Sequence, residues 1–208
     1  MIKIVGISCS PREDKFTSNL VKEILSGTEQ ETEFISLAGK EIEPCRACLG
    51  CVNDNICKQD DDWSKFQSKL LQAEALVIGA PNYYGGINSL AHAFLERFYA
   101  FRHMGLKIKG KKVVLAAVGC VHPEQVQEAL TKLVKFNELE IVGNVTCKGT
   151  LSCLICGNGE ICPVSGAKMM YGKNVKITPE IIPQWKDRTD VQAEARQLGK
   201  KLASALQK

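Results

Sequence analysis

The sequence predicts an α/β protein in which a parallel sheet carries helices on both faces. Segments with strand and helix patterns alternate five times along the chain. The strand segments are apolar almost throughout, which is typical of parallel strands that are covered on both faces. The 208 residues suit one domain. Alternation of this kind implies right-handed crossovers between neighbouring parallel strands.

The five predicted strands are short apolar segments. They lie at about 2–8, 33–37, 75–80, 112–118 and 140–146. Five strands in about 200 residues fit the flavodoxin-like order 2-1-3-4-5 better than a six-stranded Rossmann sheet. We therefore expect a flavodoxin-like three-layer sandwich with a five-stranded parallel sheet.

The predicted helices place apolar residues on one side. They lie at about 17–26, 60–72, 89–102, 123–137 and 189–207. The second of these begins with the run Asp60–Asp62, and we interpret it as a solvated helix start because carboxylates suit free N–H groups. Two segments interrupt the pattern of a single domain over 1–208. These are a cysteine-rich loop at 44–58 and a Gly/Cys-rich excursion at 147–172.

The composition excludes several classes of protein. The net charge of +4 is mild and gives no support for nucleic-acid binding. No apolar run approaches the length of a membrane span. The chain begins directly with a strand pattern and lacks the cleavage pattern of a secretory signal, so we expect a cytoplasmic location. In a reducing compartment, ten cysteines more often bind metals or act in redox chemistry than form disulfides.

The most specific motif is a run of four closely spaced cysteines. Cys45, Cys48, Cys51 and Cys57 form C-x2-C-x2-C-x5-C. Iron–sulfur clusters are held by such runs. Structural zinc more often uses two C-x2-C pairs separated by a longer stretch. The spacing therefore favours a cluster and, with it, electron transfer.

The loop after the first strand has the composition of an anion site. It leads into a helix start, where free N–H groups attract anions. Ser10, Thr17, Ser18 and Asn19 add hydroxyl and amide groups, and Arg12 adds a planar fork of donors. Neither G-x-G-x-x-G nor a Walker motif is present. The loop therefore predicts a monophosphate site, unless these residues only cap the helix and shape the turn.

Two further loops follow strands at the same edge of the predicted sheet. They are 80–86, with the sequence APNYYGG, and 118–123, which includes Gly119 and Cys120. Together they can offer aromatic faces and backbone N–H groups to a flat ring. Alternatively, Tyr83 and Tyr84 pack as ordinary strand-end residues.

These motifs carry a family resemblance. S-x-S-P-R followed by T-S-N-L resembles the FMN phosphate loop of the NADPH-dependent FMN reductase family, and APNYYGG resembles its shelf for the isoalloxazine ring. With the cysteine run, the chain resembles the iron–sulfur flavoprotein branch of that family over about 1–145. The resemblance implies FMN bound at its phosphate by Ser10, Arg12, Thr17, Ser18 and Asn19. It places Pro81, Asn82, Tyr83, Tyr84 and Gly85 at the ring, and the candidates of the third loop are Gly119 and Cys120.

The resemblance also implies a metal centre and an assembly. It implies a [4Fe–4S] cluster on Cys45, Cys48, Cys51 and Cys57, and a homodimer or homotetramer with FMN near a subunit interface. Cys9 departs from the pattern, because relatives usually carry Gly there. Cluster-free members of the wider family also keep several cysteines in this loop, so the cysteines alone leave both forms open.

The predicted function is that of an FMN-dependent oxidoreductase or electron-transfer flavoprotein, with a cluster coupled to the flavin. The flavin performs the chemistry, so no catalytic side chain is assigned. Ferredoxin, NAD(P)H and quinones are the candidate electron donors or acceptors. The alternatives are a cluster-free NAD(P)H-dependent reductase of flavins, quinones or nitro compounds, and a zinc-stabilised binding module.

A second cysteine set lies in the excursion. Cys147, Cys153, Cys156 and Cys162 form C-x5-C-x2-C-x5-C. Three interpretations stay open: a second cluster or zinc site, a dithiol–disulfide pair of Cys153 with Cys156, and free thiols in a loop that covers the flavin or a neighbouring subunit.

Overall fold

The computed structural model describes residues 4–207, so the predicted strand residues 2 and 3 lie outside the described part. Its strands are β1 Ile4–Ser8, β2 Thr32–Ser36, β3 Ala75–Tyr83, β4 Gly86–Ile87, β5 Lys112–Gly119 and β6 Glu140–Lys148. Its α-helices are α1 Phe16–Thr28, α2 Ser64–Gln72, α3 Ser89–Glu96, α4 Pro123–Lys135, α5 Gly166–Tyr171 and α6 Thr189–Ala205. Its short 3-10 helices are Arg97–Arg102, Ser152–Leu154, Pro179–Ile181 and Trp185–Asp187.

The main sheet is parallel and has the strand order β2-β1-β3-β5-β6. The flavodoxin-like order 2-1-3-4-5 is therefore confirmed, with β4 counted separately. The sequence did not predict β4. This two-residue strand pairs antiparallel with the end of β3, where Asn82 lies opposite Ile87 and Tyr83 opposite Gly86. Two residues are too few for a visible alternating pattern.

Two apolar layers cover the sheet. On one face, α2, α3 and α4 pack over a cluster that includes Trp63 and Phe94. On the other face, α1 and α6 pack over a cluster that includes Leu20 and Leu202. Successive strand residues point to opposite faces, and both faces of the central strands β1, β3 and β5 are largely buried. This burial explains why these three strands are mostly apolar, whereas the edge strands β2 and β6 carry polar, partly exposed residues.

The helix predicted over 89–102 changes its winding in the structure. It is α-helical up to Glu96 and continues as a tighter 3-10 helix over Arg97–Arg102. Phe98 and Phe101 from this tighter segment both pack on Trp63, with ring centroids 5.7 and 5.9 Å away. Tertiary packing of three aromatic rings has therefore overridden the α-helical pattern. Within residues 4–207, no helix is long and apolar enough to cross a bilayer.

Candidate functional site

A cleft of about 880 Å³ opens at the edge of the sheet where β1, β3 and β5 end. In sheets of this order, ligands bind beyond the carboxyl ends of the strands, where the strand order reverses. Four parts of the chain surround the cleft. They are the loop and helix start within 10–19, the turn 81–85, the loop 118–121, and parts of the segment between β6 and α6.

The structure brings eleven of the twelve predicted flavin-binding residues to this cleft. The lining residues are Ser10, Arg12, Thr17, Asn19, Pro81, Asn82, Tyr83, Tyr84, Gly85, Gly119 and Cys120. Ser18 is not among them. Its hydroxyl is buried and lies 3.0 Å from the hydroxyl of Ser8, so its side chain is engaged in packing between β1 and α1. Contact of these residues with FMN stays a prediction.

The start of α1 forms one end of the cleft. Lys15 precedes the helix and, within the described chain, no side-chain hydrogen bond caps α1 and its first turn holds no acidic residue. The first N–H groups of a helix have no partner inside the helix, and the helix dipole adds positive charge there. With Thr17 and Asn19 beside it, this end suits an anion.

The loop that leads into α1 is closed by its own hydrogen bonds. The Ser10 hydroxyl accepts from the Arg12 N–H at 3.1 Å and lies 3.1 Å from the Arg12 carbonyl, to which it donates. The Arg12 side chain is exposed and lines the cleft. Asp14 lines it too, and its hydrogen bond from Lys22, at 2.7 Å, lowers the pKa of this carboxyl. Lys22 thereby balances a negative charge near the anion-binding end.

The turn after β3 forms a second side of the cleft. Tyr84 and Gly85 both have a left-handed backbone, with φ of 51° and 76°, as a tight hairpin between β3 and β4 requires. Asn82 accepts from the Gly85 N–H at 3.1 Å and donates to the His122 carbonyl at 3.0 Å. Tyr84 is fully exposed. One asparagine therefore holds the aromatic turn against the loop that follows β5.

Gly119 allows these two loops to approach each other. A Cβ atom at this position would lie 2.8 Å from the Val121 carbonyl oxygen and 3.0 Å from the Asn82 Cβ. Any side chain would force the loops apart. Cys120 follows in the lining, whereas His122 faces a neighbouring cavity and its Nδ1 lies 2.9 Å from a carboxylate oxygen of Glu124.

The segment between β6 and α6 supplies a further wall of the cleft. A loop covering the flavin was among the open interpretations of the excursion, but the sequence singled out none of the residues that form this wall. Thr150, Ser152 and Ile155 line the cleft, as do residues 182–186. Trp185 packs edge-on against Phe16 at the start of α1, with ring centroids 6.2 Å apart. A lone tryptophan shortly after Pro183 is a weak signal, and no periodic pattern linked it to the phosphate loop.

The four cysteines of the first set line one small cavity away from this cleft. Cys45, Cys48, Cys51 and Cys57 share it with Arg97. Burial raises the pKa of Cys51, and the neighbouring thiols of the set raise it further. The loop has thus folded around its sulfurs. In residues 4–207, no group of three or more His, Cys, Asp or Glu side chains is arranged to hold a metal ion.

Arg97 approaches these sulfurs from the core. Its side chain is fully buried, and its Nε donates to the Cys57 Sγ at 3.2 Å. It also forms two hydrogen bonds to Asp61, at 2.6 and 3.1 Å. Burial lowers the pKa of Arg97, but its bonds to Asp61 and Cys57 outweigh that effect and the net shift is upward. Arg97 is therefore a buried cation in contact with a sulfur.

The interpretation of Asp60–Asp62 as a solvated helix start was wrong for Asp61, although Asp60 is exposed. The helix begins at Ser64, and the Asp61 side chain is only 4% exposed because it neutralises Arg97. A buried arginine requires such a partner, since an unpaired buried charge is strongly unfavourable. No local pattern indicated that Asp61 has a partner 36 residues away along the chain.

The donor set fits an iron–sulfur cluster in its chemistry. Four thiols on one short loop are the ligands that such clusters use, and N–H groups directed at the sulfurs are a usual part of their surroundings. Here the N–H donor is Arg97, and the Gln67 side chain fixes the loop by accepting from the Cys57 backbone N–H at 2.9 Å.

The second cysteine set is divided in the structure. Cys147 is buried in β6, and burial raises its pKa to about 11. Cys153 accepts a hydrogen bond from the Gly166 N–H at 3.3 Å, and Cys156 is exposed. All ten cysteines, each within the described part, are free thiols. Cys147 therefore packs as a core residue, apart from the loop thiols.

Relatives of the chain include iron–sulfur flavoproteins. One from Methanocaldococcus jannaschii is 36% identical over 121 residues, which cover 57% of this chain and 62% of the relative. One from Methanosarcina thermophila is 28% identical over 121 residues, which cover 57% and 63%. The chain thus matches slightly less than two thirds of the length of each relative.

Solved structures with the same fold include a flavone reductase and an archaeal flavodoxin. The flavone reductase superposes with a TM-score of 0.63 at 18% identity, over 99% of this chain and 63% of its own. The archaeal flavodoxin superposes with a TM-score of 0.53 at 13% identity, over 99% of both chains. These likenesses confirm the flavodoxin-like fold.

A family model for NADPH-dependent FMN reductase matches residues 2–147. This span contains the phosphate loop, the aromatic turn, the loop after β5 and the first cysteine set. The resemblance that the sequence motifs carried is confirmed, and the chain belongs to the NADPH-dependent FMN reductase family.

Proposed function

We propose that the protein is an FMN-dependent oxidoreductase that exchanges electrons with a [4Fe–4S] cluster held by its first cysteine set. The observation that carries the proposal is the single cleft at the sheet edge. It combines an uncapped helix start, an exposed aromatic turn and closely approaching loop backbones. The helix start suits the phosphate of a flavin mononucleotide. The aromatic turn and the loop backbones suit its flat ring.

The phosphate end relies on the α1 start and Arg12. A dianionic phosphate gains from backbone N–H groups and from the helix dipole, and the guanidinium adds two parallel donors. Thr17 and Asn19 supply further donors. The Ser10 hydroxyl holds the loop backbone in place by its two bonds to Arg12.

The ring end relies on the turn 81–85 and on Gly119. Asn82 fixes this turn to the next loop, so the aromatic and backbone groups keep one position relative to each other. Trp185 and Ile155 also line the cleft, and they would shield part of a bound flavin from water. Bound FMN supplies hydride or single-electron chemistry. The chain contributes binding, orientation and exclusion of solvent, and no side-chain acid or base is assigned.

The cluster is supported by the four thiols and their surroundings. They share one cavity and receive a hydrogen bond from a buried cation. The relatives with up to 36% identity carry the name iron–sulfur flavoprotein. Clusters on cysteine ligands exchange one electron at a time. Cys45, Cys48, Cys51 and Cys57 are therefore the proposed ligands.

We further propose the partners and the setting that this chemistry suits. Ferredoxin, NAD(P)H or a quinone would donate or accept electrons, and the protein would act in the cytoplasm as a homodimer or homotetramer. Nucleic acid and membranes are not proposed as partners. The whole described chain would work as one flavodoxin-like domain.

Anaerobic purification tests both cofactors. We expect about one FMN and about four iron atoms per chain, measured by fluorescence after heat release and by iron analysis. Cys48→Ala should lose the iron and keep FMN, while Cys156→Ala should keep both, because Cys156 lies outside the first set. Yellow protein without iron would favour the cluster-free reductase. Zinc with no flavin would favour the binding module, and colourless protein without either metal would refute the proposal.

A further inference from the structure

Arg97 is placed to influence the electronic state of the first cysteine set. Its Nε lies 3.2 Å from the Cys57 Sγ and donates a hydrogen bond to it. The side chain is fully buried. In a site with little water, both the positive charge and the hydrogen bond act more strongly than they would at the surface.

Three contacts fix the guanidinium in this position. Asp61 accepts two hydrogen bonds from it, and the Glu43 carbonyl accepts a third at 2.9 Å. The guanidinium carbon lies 5.5 Å from the centre of the Trp63 ring. The direction of the N–H toward Cys57 is therefore set by packing and does not depend on the thiol itself.

The other basic side chains of this loop are differently placed. Arg46 is exposed and pairs with Glu43 at 3.4 Å, and Lys58 is about half exposed and pairs with Asp54. Water screens both of these exposed charges, whereas the Arg97–Asp61 pair is shielded from water. Of the basic residues on the loop and its cavity, Arg97 is the one bonded to a sulfur in the described structure.

We propose that Arg97 is a positioning residue that raises the reduction potential of the cluster through its hydrogen bond to the Cys57 sulfur. The inference rests on the proposed function, since it requires a cluster on this set. Reduction adds one electron and breaks no bond. The added charge is shared by the ligand sulfurs, so an N–H donor and a fixed cation stabilise the reduced state more than the oxidised state.

The test must separate this effect from loss of folding. Removing Arg97 alone would leave Asp61 buried and unpaired, which is strongly destabilising. The main variant is therefore R97Q/D61N, which replaces the buried ion pair by two neutral polar groups. Arg97→Lys keeps the charge but loses the fork geometry. Arg46→Gln is the matched control, because it removes an exposed charge from the same loop.

Iron content is measured first, and the midpoint potential is then measured by titration with dithionite under EPR detection. In R97Q/D61N, we expect the ratio of reduced to oxidised cluster at a fixed potential to fall at least tenfold, about 59 mV for one electron. Arg97→Lys should lower this ratio less. Arg46→Gln should keep the ratio within threefold of that of the unsubstituted protein.

Two results would overturn the inference. One is a fully iron-loaded R97Q/D61N with an unchanged midpoint. The other is loss of iron from both Arg97 variants in folded protein, which would assign Arg97 to cluster retention. Absence of iron from the unsubstituted protein would instead refute the proposed cluster, and the inference with it.

Discussion

Trp185 packs edge-on against Phe16, with ring centroids 6.2 Å apart and ring planes at 86°. The two residues come from nearly opposite ends of the chain, yet both line the candidate flavin cleft. The contact joins the segment before α6 to the start of α1. The wall that closes the cleft is therefore attached directly to the proposed phosphate site.

Replacing Trp185 should weaken flavin binding. Trp185→Ala removes a wall of the cleft and an aromatic pair worth about 0.5–1.5 kcal/mol, so we expect the FMN dissociation constant to rise roughly two- to twelvefold. Trp185→Phe keeps an aromatic ring and should leave the dissociation constant within about twofold. Quenching of FMN fluorescence on binding measures the dissociation constants of both variants. Equal affinity in all three folded proteins would show that this wall does not contact the cofactor.

Arg12 should distinguish FMN from riboflavin. A charge-assisted hydrogen bond contributes about 1.5–3 kcal/mol, so Arg12→Ala should raise the dissociation constant for FMN by roughly ten- to a hundredfold. The affinity for riboflavin should not change, because riboflavin lacks the phosphate. The FMN dissociation constant of Arg12→Lys should lie between those of the unsubstituted protein and Arg12→Ala, since lysine keeps the charge without the fork. If FMN and riboflavin weaken together, Arg12 acts on the ring or on the fold.

The sequence predicted the parts of this protein that depend on local pattern. Strands buried on both faces have an apolar run, and the loops after β1, β3 and β5 reach one edge in any sheet of this order. The prediction therefore brought Arg12, Asn82 and Gly119 together correctly. Their roles in binding stay predictions.

The missed parts depend on contacts between distant residues. Trp185 lies between the excursion and α6, in a segment without periodic pattern, and its packing on Phe16 holds it at the cleft. Asp61 was expected at a solvated helix start, but a buried Arg97 draws it inward. Neither pairing leaves a local trace in the sequence, because the two partners lie far apart along the chain and no periodic pattern relates them.

The contact between α1 and α6 should tolerate no side chain at Gly199. A Cβ there would lie 2.2 Å from the Ile24 carbonyl oxygen and 2.7 Å from the Gly27 carbonyl carbon. Backbone atoms cannot yield as side chains do, so Gly199→Ala should destabilise the fold by about 2–3 kcal/mol. Gly86→Ala is the control, because no heavy atom lies within 4 Å of its added Cβ. Urea unfolding measures the stability of both variants. Equal midpoints for the two would contradict the close contact between α1 and α6.

The buried thiol of Cys147 should make stability fall at alkaline pH. Burial raises its pKa from 9.0 to about 11, although Arg188 opposes the shift. The folded state then holds the proton more tightly than the unfolded chain does. Its contribution is complete below about pH 9 and is lost as the pH rises toward 11. Two pKa units correspond to about 2–3 kcal/mol.

In Cys147→Ala, the free energy of unfolding should therefore decline less between pH 9 and 11, whatever its value at pH 8. Cys156→Ala, which changes an exposed thiol, should follow the unsubstituted protein. Parallel pH curves for all three proteins, measured by urea unfolding, would show that Cys147 is not held protonated by burial.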